Sequence, residues 1–97
     1  MMTRVLVTDA AVDDLHGLIR SHQLPENTIA RVRRSLEPLA RFPELGSELG
    51  GSFAPRRFIL GPWRWMIVIY RFYPDRDLVA ILAIVDGRTS TSPTANR

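Results

Sequence analysis

Four arginines, Arg56, Arg57, Arg64 and Arg71, stand among Phe58, Trp63, Trp65, Tyr70, Phe72 and Tyr73 in residues 53–73, a stretch that carries +4 and no acid. A guanidinium is a planar, permanently charged fork. Beside aromatic rings it binds phosphate, stacks on bases or anchors a protein interface. Elsewhere the charge is +1 over residues 1–8, zero over 9–41, −2 over 42–52 and zero over 74–97, so the net +3 arises locally. All thirteen cations are arginine, which as a matter of overall composition reads as codon bias in a GC-rich genome; their placement is a separate matter.

Few other residues have the spacing of a catalytic or metal site. The chain has no cysteine, which excludes disulfides, thiolate ligands and thiol nucleophiles and suits a reducing cytoplasm. His16 and His22 are six residues apart and point to different helix faces, so no metal or other cofactor is expected. Asp13 and Asp14 are adjacent and read as charges near a helix N-terminus, not a facing catalytic pair. Neither a GxSxG elbow nor a GxxxxGK[ST] phosphate loop occurs. Arg31, Arg33 and Arg34 read as a solvated helix face. The longest apolar runs, residues 66–70 and 78–85, fall far short of the ~20 residues of a membrane-spanning helix. A cytoplasmic protein with no membrane partner is the expectation.

The length of 97 residues allows one domain, predicted over residues 1–88, followed by a polar tail at 89–97 that is expected to be mobile. Arg4 to Thr8 is β-branched and reads as a strand. Thr8 or Asp9 then caps a helix whose apolar stripe is Val12, Leu15, Leu18 and Ile19, running on to His22. Gly17 within it costs about 1 kcal/mol relative to alanine. A second helix starts at Pro25 and carries Ile29, Val32, Leu36 and Leu39 to about Arg41, with Pro38 kinking its last turn. The short link around Gln23 predicts an antiparallel helical hairpin. Phe42 to Pro55, rich in glycine and proline, reads as a long loop. Arg56 to Leu60, Trp63 to Tyr73 and Asp77 to Val85 read as three strands of an antiparallel meander, with the N-terminal strand available to extend it. The predicted fold is α+β, a helical hairpin packed on a three- to four-stranded antiparallel sheet.

This arrangement leaves a conflict. In Trp63 to Tyr73 one face carries Met66, Val68, Tyr70 and Phe72, and the other Trp63, Trp65, Ile67 and Ile69. Two helices cover only one face of a sheet. The second apolar face is left for the long loop, a second copy of the chain, or another protein to cover.

Order and spacing resemble the RelE/ParE toxins of bacterial type II toxin-antitoxin systems, also described as plasmid stabilisation proteins. The resemblance rests on Thr8 to Ile19 (TDAAVDDLHGLI), Leu39 to Gly46 (LARFPELG), Arg57 to Leu60 (RFIL), Met66 to Arg71 (MIVIYR) and Ile81 to Arg88 (ILAIVDGR). It implies a growth-inhibiting toxin wrapped by a cognate antitoxin in a hetero-oligomer, with the antitoxin on the apolar face of Trp63, Trp65, Ile67 and Ile69. The target it implies is DNA gyrase on the ParE-like side, or translating ribosome and mRNA on the RelE-like side. Binding to gyrase would use Arg57, Arg64, Arg71 and Arg88. An mRNA endonuclease would use Arg57, Arg64, Tyr70 and Arg88, with Tyr70 or Tyr73 as acid. The cations are present, but three positions depart from the endonuclease pattern: Ile67 stands where an arginine is common, Asp86 for the histidine of the family's ending, and Thr89 for its second arginine. These departures favour the ParE-like reading, in which no catalytic residue is needed. A relic that only binds its antitoxin is the third reading.

Overall fold

Thr8 starts the first helix and fixes it to the sheet. Its backbone is extended and its Oγ accepts the Ala11 N–H at 3.3 Å while donating to the Ile81 carbonyl at 2.7 Å. In the structure, a computed structural model that describes residues 2–89, the elements run β1 (Arg4–Val7), α1 (Asp9–His22), α2 (Thr28–Leu36), α3 (Pro38–Arg41), β2 (Ser47–Glu48), β3 (Arg57–Leu60), β4 (Met66–Tyr73) and β5 (Leu78–Asp86). Of the tail expected over 89–97, residues 90–97 lie outside the described residues. Helix α1 ends on Gln23, whose left-handed backbone (φ 50°) turns its N–H to the Ile19 carbonyl. The second helix begins at Thr28, later than the predicted Pro25, because residues 25–27 form a turn closed by the buried Thr28, whose Oγ donates to the Pro25 carbonyl at 2.6 Å. It breaks at Glu37, since Pro38 has no amide to continue the helical ladder.

The sheet has five strands in the order β1-β5-β4-β3-β2. Strand β1 joins β5 in parallel, and the remaining pairs are antiparallel. Two differences from the sequence reading matter. The long loop contributes β2, which pairs Ser47 and Glu48 with Phe58 and Arg57. Strand β4 starts at Met66, not Trp63, because Gly61 N–H bonds the Met66 carbonyl and Met66 N–H bonds the Trp63 carbonyl, making residues 61–65 the turn. A bulge at Leu82 shifts the β4–β5 register, so that Ile81 and Ile84, three residues apart, share the helix-facing side.

That side is the main core: Ala11, Leu15, Val32, Leu36 and Leu39 pack on Met66, Val68, Tyr70, Val79, Ile81 and Ile84. Ile29, predicted within the helical stripe, is 42% exposed and lies at its margin. The opposite face is closed in part by the chain's own loop: Leu49, 3% exposed, packs on Ile67 and Ile69, flanked by Phe58, Ala83 and Val85. Leu6, Phe53 and Leu60 remain exposed.

Candidate functional site

Arg57 and Tyr70 sit opposite each other on β3 and β4, so their side chains share one face. Both are committed to the residue 44–48 loop. The Arg57 guanidinium donates to the carbonyls of Gly46 (2.9 Å) and Glu44 (3.3 Å) and to the Glu48 carboxylate (3.0 Å). The Tyr70 hydroxyl, with no exposure to solvent, accepts the Gly46 N–H at 2.8 Å. Burial raises the Tyr70 phenol above its ordinary value, against the pull of the Gly46 amide and the Arg57 charge. Tyr70 therefore has neither the access nor the acidity of a surface proton donor. Tyr70, named above as a candidate acid, is in this structure a core residue that anchors a loop.

The C-terminal arginine belongs to a second cluster. Asp86, at the end of β5, accepts from the Arg88 Nε at 3.0 Å, its Nη2 at 2.8 Å and its backbone N–H at 2.9 Å, and contacts His22 Nε2 at 3.0 Å. The His22 ring stacks on Trp65 at 4.5 Å, and Trp65 on Trp63 at 6.0 Å. Arg31 lies 4.5 Å over the Trp63 ring and Arg88 5.0 Å over Trp65. The result is a ladder of rings and guanidiniums joining α1, α2, the β3–β4 turn and the end of β5. His22, set aside in the sequence as one of two histidines too badly placed for a metal site, is central to it. Its partner lies 64 residues away, so no local spacing signals the pair.

The Arg88 side chain holds the Asp86 carboxylate well below the usual carboxylate range, with smaller help from the Arg88 amide and His22 and opposition from desolvation. A depressed folded-state value contributes stability above the unfolded value, near ~4, and that contribution is lost as pH falls through the folded value. Thermal melts from pH 5 to pH 2 are expected to fall more steeply for the wild type than for Asp86→Asn. Parallel acid limbs for the two proteins would contradict this assignment.

Arg64 is exposed at the tip of the β3–β4 turn and forms no ion pair with any described residue. Arg71 is on the second face of β4, 4.6 Å over the Tyr73 ring. The predicted arginine surface is thus not one site. Arg57 is mostly enclosed, with 22% of its side chain open, Arg88 is 62% open, and Arg71 lies on the opposite face from Arg57. The predicted apolar quartet also divides. Trp63 and Trp65, in the turn, pack toward the helix-side core, while Ile67 and Ile69 lie on the other face beneath Leu49. No group of three metal-ligating side chains occurs among the described residues, and no described helix is long and apolar enough to cross a membrane.

A family profile described as the ParE toxin of type II toxin-antitoxin system, parDE, matches residues 5–90. No curated protein matches the chain. Among solved structures, the chain is similar to one from the toxin-antitoxin complex RelBE2 of Mycobacterium tuberculosis, with 24% identity and a TM-score of 0.69 over 89% of this chain and 99% of that one. It is also similar to an arginine-to-alanine double mutant of the E. coli toxin RelE in the free state, with 10% identity and a TM-score of 0.66 over 93% of this chain and 88% of that one. Those likenesses are of fold. The profile runs from β1 past Arg88 and takes in all three helices and every strand described above, and the chain belongs to the ParE toxin family of type II toxin-antitoxin systems.

Proposed function

We propose that this toxin stops growth by a ParE-like block of DNA gyrase and is neutralised by a cognate antitoxin. The observation that carries the reading is the burial of Tyr70 with its hydroxyl bound to Gly46. An RNA-cleaving enzyme needs groups to remove and deliver protons as well as cations for the phosphorane. Tyr73, the other candidate acid, lies beneath Arg71 on the opposite face of β4 from Arg57. His22, the imidazole beside Arg88, has one ring nitrogen against Asp86 and the other against Ser21 Oγ at 2.8 Å, with its face on Trp65. A binding toxin needs none of these groups.

The test is supercoiling of relaxed plasmid by purified gyrase with the toxin added. Inhibition is expected, together with intact message when the toxin is added to a translation reaction. Arg64, exposed and free of ion pairs, is the contact whose replacement separates binding from folding. Arg64→Glu should weaken inhibition at least tenfold while the melting temperature stays within a few degrees. Unimpaired supercoiling with cleaved message would establish the endonuclease reading instead, and the absence of both effects would leave an antitoxin-binding relic.

The antitoxin contact fits the β1 edge more closely than the divided quartet. Ile67 and Ile69 are already beneath Leu49. At β1, by contrast, Leu6 and Val7 are exposed, the outer edge of the sheet is unpaired by any described strand, and Val7, Val12, Leu15, Ile29 and Val32 line a cleft of about 230 Å³. An exposed edge beside an apolar cleft accepts an extended segment through its backbone and alternate side chains. Val7→Asp is expected to keep toxicity but to lose rescue by the co-expressed antitoxin; full rescue would move the contact elsewhere.

A further inference from the structure

Arg31, Arg33 and Arg34 do not form the single solvated face that their adjacency suggests. Arg33 lines the clefts beside Val7 and Leu36. Arg31 and Arg34, one helical turn apart, instead meet the β3–β4 turn, and with Ser35 and Pro62 they line a separate cleft of about 230 Å³. The charged lining of this cleft is wholly cationic. The Arg31 guanidinium is held 4.5 Å over Trp63, and Ser35 Oγ donates to the Arg31 carbonyl at 3.1 Å. Neither Arg31 nor Arg34 forms an ion pair with any described residue. The positive surface continues through exposed Arg64, two residues beyond Pro62. The acids flanking α2 are Glu26, in the turn before it, and Glu37, at its C-terminal end, neither in an ion pair with Arg31 or Arg34; Asp86 is engaged by Arg88.

We propose that this cleft binds a phosphate of a nucleic-acid backbone, with Arg31 and Arg34 as a paired clamp and Arg64 meeting a neighbouring phosphate. Guanidinium forks match the tetrahedral oxygens of phosphate. A backbone that repeats one anion per nucleotide suits cations spaced along a ladder of rings. The stacked faces of that ladder are occupied by Arg31, His22 and Arg88, so bases do not intercalate and binding is independent of sequence. The proposal depends on neither the gyrase nor the antitoxin reading.

The test is fluorescence anisotropy of a labelled random-sequence DNA duplex titrated with the full chain between 50 and 200 mM salt. Affinity should fall linearly in a log–log plot. The double variant Arg31→Ala with Arg34→Ala should lower the slope by roughly 1.8, the value of two lost phosphate contacts. The control pair Arg4→Ala with Arg76→Ala removes the same charge from the β4–β5 end of the molecule and should change the slope by less than half as much. Arg34→Glu preserves the Arg31–Trp63 contact and should weaken binding at least tenfold even if the double variant is unstable. Equal losses in the two double variants would reduce the effect to net charge and overturn the proposal, as would wild-type affinity in Arg34→Glu. Competition by polyglutamate as strong as that of unlabelled duplex would make the partner an acidic protein, and full displacement by low-millimolar inorganic phosphate would make the ligand free phosphate. Either result also overturns the backbone assignment.

Discussion

Gly46→Ala should lower the stability of the protein by about 2–3 kcal/mol, the usual cost of forcing extra volume into a packed site. A Cβ at this position would stand 2.5 Å from the Phe58 carbonyl oxygen and 2.8 Å from both the ring and the hydroxyl of Tyr70. The first of these is backbone in β3 and does not move aside. The Tyr70 side chain is fully buried in the main core and cannot swing away. The loop must retreat, with loss of the Gly46 to Tyr70 hydrogen bond and of the Arg57 bonds to the same loop. For a domain of this size the melting temperature should drop by roughly 10–20 °C. Gly17→Ala is the internal control. Nothing lies within 4 Å of its Cβ, and it sits in the interior of α1, so alanine there should raise stability by about 0.5–1 kcal/mol. Opposite signs for the two substitutions in urea melts are the expected result. Equal, small effects would show that the Gly46 contact does not anchor the loop. Tyr70→Phe separates the hydrogen bond from the volume term: it leaves a buried amide unpaired at a cost of about 1–3 kcal/mol.

Trp65→Ala should cost about 2–3 kcal/mol, somewhat below the range for a fully buried tryptophan because Trp65 is half-buried. The substitution removes the ring that His22 stacks on, the neighbour of Trp63 and the surface beneath the Arg88 guanidinium. Trp65 also carries a structural bond, from the Gly87 N–H to its carbonyl at 2.7 Å, which alanine retains. The loss therefore reports on the ring alone. It should appear in urea melts and as altered His22 ring resonances, since the imidazole keeps Asp86 but loses its stacking partner. A loss under about 1 kcal/mol with unchanged His22 resonances would mean that the ladder contributes contact without stability.

Much of this fold is legible in the sequence where local chemistry and tertiary packing agree. Thr8 predicts the start of α1 because a hydroxyl cap is a local event, and the 3–4 spacing from Val12 to Ile19 predicts its buried side. Strand β5 is equally plain from its β-branched run. Other features depend on contacts that no local pattern encodes. Strand β2 is two residues of a glycine-rich loop, and only its partners Arg57 and Phe58 make it a strand. The burial of Leu49 on Ile67 and Ile69 likewise gives the second face a cover that composition cannot identify. Trp63 and Trp65 were misplaced for an instructive reason. Period-two alternation happens to run unbroken from Trp63 into β4, although the chain turns there to close Gly61 on Met66. Of the site residues, the arginines are visible by type, but their engagements are not. Arg57 is spent on a loop and Arg88 on Asp86, while Arg64 is free of ion pairs, and only the three-dimensional arrangement distinguishes them.

The proposed action of this ParE-family toxin on DNA gyrase separates from RNA cleavage by the order in which DNA and protein synthesis fail. The direct test is pulse-labelling of DNA and protein synthesis within minutes of inducing the chain without its antitoxin, with message integrity followed in the same culture. DNA synthesis is expected to fall first while messages remain full length. A collapse of protein synthesis before any fall in DNA synthesis, accompanied by cleaved message, would contradict the gyrase reading.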